Sequence, residues 1–302
     1  MSARTRRRGV MAVTGGALAL VLAACGDSGD DDGTTEGGEG AEGRLAELQE
    51  AGTITVGFAG EAPYSFMNDE GELVGASVAL QERIWGELGI DNIEGVQAEF
   101  GQLIQGLNAG RFDIVAAGMS ILPDRCEQAL FSDPEFQYTT ALLVEAGNPH
   151  GLTNMQSIAE SDVTMAAMRG AIEADYANDL GIEPVLVGDP QDGMDAVTSG
   201  RADVFALTGI SLNWMVESSG TDAVEVTDSF VAEIDGVKQY GAGGTVFRQE
   251  DEELRDAYNE HLADIVGDEE TYLDVVGEWG FTAEERPTGE FTTEELCAGE
   301  IG

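Results

Sequence analysis

The stretch LNAGRFDIVAAG, residues 107–118, has a near copy in VTSGRADVFALTG, residues 197–209. Each passes from helical spacing through a glycine to Arg-x-Asp and then into an apolar run. A glycine just past the last helical turn takes the left-handed conformation that ends a helix. The apolar run that follows has the length and composition of a buried strand. One such unit is a common helix-to-strand turn. Two of them predict two similar α/β lobes, with a ligand held at the carboxyl ends of their strands.

Working outward, the chain alternates strand-like and helical runs from Arg44 onward. ITVGFA (54–59) reads as a strand and SVALQERIWGELG (77–89) as a helix. IEGVQAEF leads into GQLIQGLNAG, the strand FDIVAAG follows, and TTALLVEAG (139–147) is a further strand. The second set comprises VTMAAMRG, the helix AIEADYANDLG, the strand PVLVG, the helix PQDGMDAVTSG, the strand ADVFALTG and the helix ISLNWMVESSG. YGAGGTVF is then a strand, and DEELRDAYNEHLADIVG and ETYLDVVGEWG are helices. This alternation indicates an α/β fold with mainly parallel sheet.

The N-terminus is read apart from the fold. RTRRR at 4–8 is a basic segment, an apolar run occupies 10–24, and Leu22-Ala23-Ala24-Cys25 closes it. That is the pattern of a secretory signal ending in small residues, too short and Gly-rich for a comfortable membrane span. Residues 26–43, GDSGDDDGTTEGGEGAEG, hold seven acidic residues and seven glycines. Such a segment cannot bury enough surface to order itself, so a flexible tether is expected over residues 26–45. The whole chain carries 14 Lys+Arg against 58 Asp+Glu. Without the four leader arginines, 10 cations remain and the formal charge is −48, with Lys238 the one lysine. Nucleic acid is excluded as a partner, because phosphate binding needs a basic surface. Outside the cytoplasm Cys126 and Cys297 could be joined in a disulfide; two buried thiols are the alternative.

No catalytic motif stands out. There is no Gly-x-Ser-x-Gly, GAGG at 241–244 lacks the continuation of a phosphate loop, and His150 and His261 lie in unrelated contexts without metal-ligand spacing. No metal and no cofactor is expected. The stretch 118–136, GMSILPDRCEQALFSDPEF, is more informative. Ser120 to Arg125 form the loop after a strand, where a guanidinium can take a carboxylate in a two-pronged contact and Ser120 can add a hydroxyl. A surface ion pair of Arg125 with Asp124 or Glu127 is the other reading. In the second lobe the turn at residues 170–173 opens a helix whose free amides could hold the same anion. Glu61, Tyr64 and Phe66 follow the first strand; Glu61 could answer a cation and Tyr64 could stack on it.

GFAGEAPYSFMNDEGELVGASV, EFGQLIQGLNAGRFDIVAAGMSILPDRCEQALFSDPEF and GRADVFAL resemble the family 3 extracellular solute-binding proteins of ABC importers over about residues 45–285. The resemblance implies a type II periplasmic-binding fold, two α/β lobes joined by two crossover strands, here TTALLVEAG and YGAGGTVF. It divides the chain into a signal peptide (1–25), tether (26–45), lobe 1 (46–142), lobe 2 (143–240) and a return to lobe 1 with the tail (241–302). Leu-Ala-Ala-Cys also resembles the lipobox of bacterial lipoproteins, implying a lipid on Cys25 that anchors the chain to the cell membrane outside the cytoplasm, and the chain is expected to be a monomer.

Within that family RFDIVAAGM…PDRCEQALFSDP, VEAGNPHGLTNMQSIAE, GAIEADYA and the late cysteine of TTEELC look like the ectoine/hydroxyectoine-binding branch. The resemblance implies that Arg125 holds a ligand carboxylate, while Glu61, Tyr64 and Phe100 surround a ring amidinium. Gly118, Ser120, Ile172, Glu173 and Thr208 complete the expected ligand set. Thr208 stands where amino-acid binders carry an aspartate for the α-ammonium. The sequence departs from the branch at Ser120, where an aromatic is usual, and at Ile172, where threonine is. One wall of the cation box is then either missing or supplied by Trp214. The expected function is capture of a small zwitterion for an ABC permease. A polar amino acid is the alternative ligand, and a cyclohexadienyl-dehydratase-like enzyme on the same fold is the alternative activity.

Overall fold

The computed structural model describes residues 41–299 apart from Asp235; the signal segment, Cys25 and most of the acidic tether lie outside the described residues. The first helix, α1 (Ala41–Ala51), leads into β1 (Thr53–Phe58). The hairpin β2 (Phe66–Met67) and β3 (Leu73–Val74) precedes α2 (Ala76–Glu87), β4 (Asn92–Gln97), α3 (Leu103–Asn108) and β5 (Ile114–Ser120). Next come α4 (Pro123–Cys126), β6 (Leu130–Phe131) and β7 (Phe136–Tyr138). The second set is β8 (Thr140–Glu145), α5 (Met155–Ala159), β9 (Met165–Met168), α6 (Ile172–Asp179), β10 (Val185–Val187), α7 (Pro190–Thr198), β11 (Val204–Thr208), α8 (Gly209–Ser219) and β12 (Val224–Val226). A hairpin of β13 (Ala232–Ile234) and β14 (Val237–Gln239) precedes β15 (Gly241–Phe247), α9 (Glu252–Gly267), α10 (Glu269–Val276) and α11 (Thr293–Ala298).

Two sheets result. The first has the order β4-β1-β5-β15-β6, with β7 also on β15, and the second the order β10-β9-β11-β8-β12. Within each, three strands run parallel, and the strand beside the parallel set, β15 or β8, is antiparallel. Parallel pairing is therefore confined to the βαβ units. The chain crosses between the sheets twice, at the starts of the two stretches expected to carry the crossings. TTALLVEAG supplies β8, wholly within the second sheet, and YGAGGTVF supplies β15, wholly within the first. The chain passes from the first sheet to the second at Thr139, between β7 and β8, and returns to the first at Tyr240, between the β13–β14 hairpin and β15.

The repeated unit shows why both lobes are alike. Gly110 and Gly200 take φ of 68° and 69° and end their helices. Asp113 then accepts from the Thr55 amide through Oδ2 at 2.9 Å, while its own amide donates to the Thr55 carbonyl. Asp203 does the same with Thr164, Oδ2 accepting at 2.7 Å. Each aspartate thus fixes the register of its strand against the neighbouring parallel strand. The repeat is a strand-pairing device.

The tether was expected to reach residue 45, but α1 begins at Ala41. Leu48 is buried and Leu45 packs on the first-lobe core, so helical spacing of two leucines against that core orders the segment. The block FSDPEF also has a job. Glu135 is fully buried; its Oε1 accepts from Thr245 Oγ1 at 2.5 Å and from the Tyr258 hydroxyl at 2.7 Å, and Gln81 donates to both of those oxygens. Ser132 Oγ accepts from the Thr245 amide at 3.0 Å. This network pins β15 between β5 and β6. Cys126 and Cys297 form a disulfide, with Cα atoms 5.6 Å apart, joining α4 to α11. Among the described residues no helix is long and apolar enough to cross a membrane.

Candidate functional site

Four strand ends converge between the lobes. Glu61 and Tyr64 follow β1, Gly118 and Ser120 end β5, residues 170–173 follow β9, and Thr208 ends β11. Eight of the nine expected ligand residues (Glu61, Tyr64, Phe100, Gly118, Ser120, Ile172, Glu173 and Thr208) line one cavity of about 20 Å³. That space takes about one water molecule. A solute enters it only when the lobes part. Gly118 is required here: a Cβ at that position would lie 2.4 Å from the Tyr64 ring.

Arg125, the ninth, is placed differently. It is 7% exposed and lines a neighbouring outer cavity of about 260 Å³, which shares Phe100 with the first. Its Nη1 donates to the Ser120 carbonyl and its Nη2 to the Gly170 carbonyl of the second lobe, both at 2.9 Å. The guanidinium carbon stands 5.6 Å from the Phe100 ring centroid. A surface ion pair with Asp124 or Glu127 is therefore not what Arg125 makes: it is buried, and its two hydrogen bonds go to backbone carbonyls. Two of five guanidinium N–H groups are used, which leaves donors for an anion.

The cavity is acidic. Glu61 is 4% exposed; its Oε1 accepts from Ser211 Oγ at 2.7 Å and, weakly, from Thr208 Oγ1 at 3.5 Å. Those donors belong to the second lobe and Glu61 to the first, so the bond ties the lobes together. Glu173 is 1% exposed, and its Oε1 has no partner among the described residues; nor has the Tyr64 hydroxyl. Burial pushes the Glu61 carboxyl up to about 7 and that of Glu173 up to about 8. An anionic carboxylate stripped of water is costly unless a cation answers it.

Two residues of the site escaped the sequence reading. Tyr138, from β7, lines the cavity and donates to Ser120 Oγ at 2.5 Å. Its ring meets Tyr64 edge-on with centroids 6.2 Å apart. Tyr138 thus stands as the aromatic wall above Ser120. Trp214, expected there, does not line the cavity; it packs against Phe66 and Trp279 instead. Ser211 was the second omission, and its place at the first turn of α8 is visible only once α8 is docked on Glu61.

The buried glutamates set a pH dependence. Glu61, Glu135 and Glu173 hold their protons in the folded chain up to about 7, about 7 and about 8, against an ordinary value of 4.5. Between those values the folded state binds more protons than the unfolded one, so stability is full at low pH and falls as pH rises from about 5 to 8. Each group contributes a slope of about 1.4 kcal/mol per pH unit within its window. Thermal unfolding should show a higher midpoint at pH 5 than at pH 8, and Glu135→Gln should flatten the curve. A midpoint that climbs over this interval would contradict the assignment.

Comparison with known proteins agrees with this architecture. The family model for bacterial extracellular solute-binding proteins, family 3, matches residues 54–280. A protein of Sinorhizobium fredii named as a probable amino-acid ABC transporter periplasmic-binding protein is 34% identical over 261 residues, covering 84% of this chain and 86% of its own. The crystal structure of EhuB in complex with hydroxyectoine superposes with a TM-score of 0.77 at 30% identity, over 85% of this chain and 98% of that one. An ancestral amino acid-binding protein, a precursor of cyclohexadienyl dehydratase, gives 0.68 at 26% identity, over 78% and 99%. The curated relatives are named as binding proteins, which sets the chain among transporter components and apart from enzymes. With three-quarters of its length under one family model and a two-lobed cleft built from strand ends, the chain belongs to the bacterial extracellular solute-binding proteins, family 3.

Proposed function

We propose that this chain captures ectoine or hydroxyectoine outside the cytoplasm, tethered by a lipid on Cys25, and delivers it to an ABC permease. The observation that carries the reading is the composition of the cleft. Glu61 and Glu173 reach it from opposite lobes, the rings of Tyr64, Phe100 and Tyr138 surround it, and Arg125 lies beside it, bonded to the Ser120 and Gly170 carbonyls. A ring amidinium spreads one positive charge over two nitrogens and a flat face. It therefore satisfies carboxylates at its N–H groups and aromatic rings at its face, while its carboxylate takes the free donors of Arg125. Bound between the lobes, such a solute favours the closed form by contacts it makes only there.

A basic amino acid is the second reading. One arginine faces two carboxylates, so a ligand of net charge +1 would balance both, whereas a neutral zwitterion leaves one carboxylate protonated. Titration calorimetry with ectoine, hydroxyectoine, arginine, glutamate and glycine betaine separates the two. Heat with both ectoines and none with glutamate or betaine is expected. No heat with either ectoine overturns the first reading, and heat with arginine alone establishes the second.

A further inference from the structure

Trp214 lies on α8 in the second lobe, yet its ring meets two rings of the first. Its centroid is 6.1 Å from that of Phe66, on the β2–β3 hairpin, and 6.2 Å from that of Trp279, which packs on the first-lobe core. Phe66 and Trp279 are themselves 5.9 Å apart and nearly perpendicular at 86°. All three separations fall within the range of roughly 4.5–7 Å at which aromatic pairs attract. The neighbouring contacts agree: Ile210 of α8 packs on the first-lobe core, and a Cβ placed on Gly280 would lie 3.8 Å from Trp214 Cε3. The three rings are half-buried, and none lines the cavity that Glu61 and Glu173 face.

Parting the lobes to admit a solute pulls Trp214 away from both partners and wets all three faces. Closing restores two ring–ring contacts and the apolar burial that goes with them. That free energy is the same whatever solute is inside. We propose that Phe66, Trp214 and Trp279 form a closure clasp, positioning residues that raise solute affinity without touching the solute. The proposal rests on the solute-binding reading above, but not on which solute it is.

The test is Trp214→Ala in the full chain, with Phe66→Ala as an independent second variant should the first fold poorly. Dissociation constants for ectoine and hydroxyectoine should rise by a common factor of about tenfold, through faster release. Trp214→Phe, which keeps a ring, should recover most of the loss. Tryptophan fluorescence should lose most of its solute-induced change in Trp214→Ala, because Trp85, the remaining tryptophan besides Trp279, is buried in the first-lobe core. Unchanged dissociation constants overturn the clasp. So does a factor that differs between the two solutes, which would make Trp214 a solute contact. If the wild-type chain binds neither solute, the ligand reading falls, and the clasp is judged on the free protein by small-angle scattering. Trp214→Ala must then be the more open; superimposable curves overturn it.

Discussion

Arg125→Ala is expected to abolish solute binding while the chain still folds. Arg125 sits on the one-turn helix α4 and is buried, yet its two hydrogen bonds are to carbonyls that other donors or water can serve once the side chain is gone. Its removal from the closed form therefore costs the fold little. In the bound state the loss is larger, because a ligand carboxylate drawn into this acidic cleft would be left without the guanidinium that answers it. Truncating one partner of a buried charge pair costs about 2–5 kcal/mol, which weakens binding by about thirtyfold to several thousandfold. Arg125→Lys should rescue poorly, since a point charge cannot present the planar fork. Calorimetry reads the affinity and circular dichroism the fold. Affinity equal to wild type in a folded Arg125→Ala chain removes Arg125 from the site.

The second large effect is on stability. Cys126 and Cys297 are separated by 171 positions, so the bond closes about two-thirds of the described residues into one loop. In the chain-entropy model a loop of that size removes unfolded-state freedom equivalent to about 5 kcal/mol. At roughly 2–4 °C per kcal/mol for a chain of this class, Cys126→Ser with Cys297→Ser should lower the unfolding midpoint by on the order of 10 °C. The same drop should follow reduction of the wild type, and reductant should leave the double variant unmoved. Midpoints that coincide with and without the bond would show that α11 holds its place by packing alone. Because Cys126 follows Arg125 in α4, the double variant should also weaken solute binding more than its loss of stability predicts.

The features readable from the linear chain share one physical property: their signals are local. The glycine that stops a helix, the aspartate that starts a strand and the period of apolar residues act over a few positions. The paired units at residues 107–118 and 197–209 therefore announced two α/β lobes, and Glu61, Ser120, Ile172 and Thr208 could be placed after strands. Arg125 was legible for the same reason, as a scarce cation in a loop that follows a buried strand.

What stayed hidden depended on contacts between distant segments. Tyr138 and Ser120 lie 18 positions apart, and Ser211 and Glu61 lie 150 apart. No pattern within either neighbourhood reveals that their side chains meet. Trp214 shows the same limit from the other side. Its helix was foreseen, but which way the ring points depends on how the lobes close, and closure sends it to Phe66 and Trp279 instead of to the cavity. Arg125 itself divides between the two kinds of knowledge. Its loop position follows from local pattern, whereas its bond to Gly170 across the cleft exists only because two separately folded sheets meet there, where burial of apolar surface chooses the orientation and local propensity has no say.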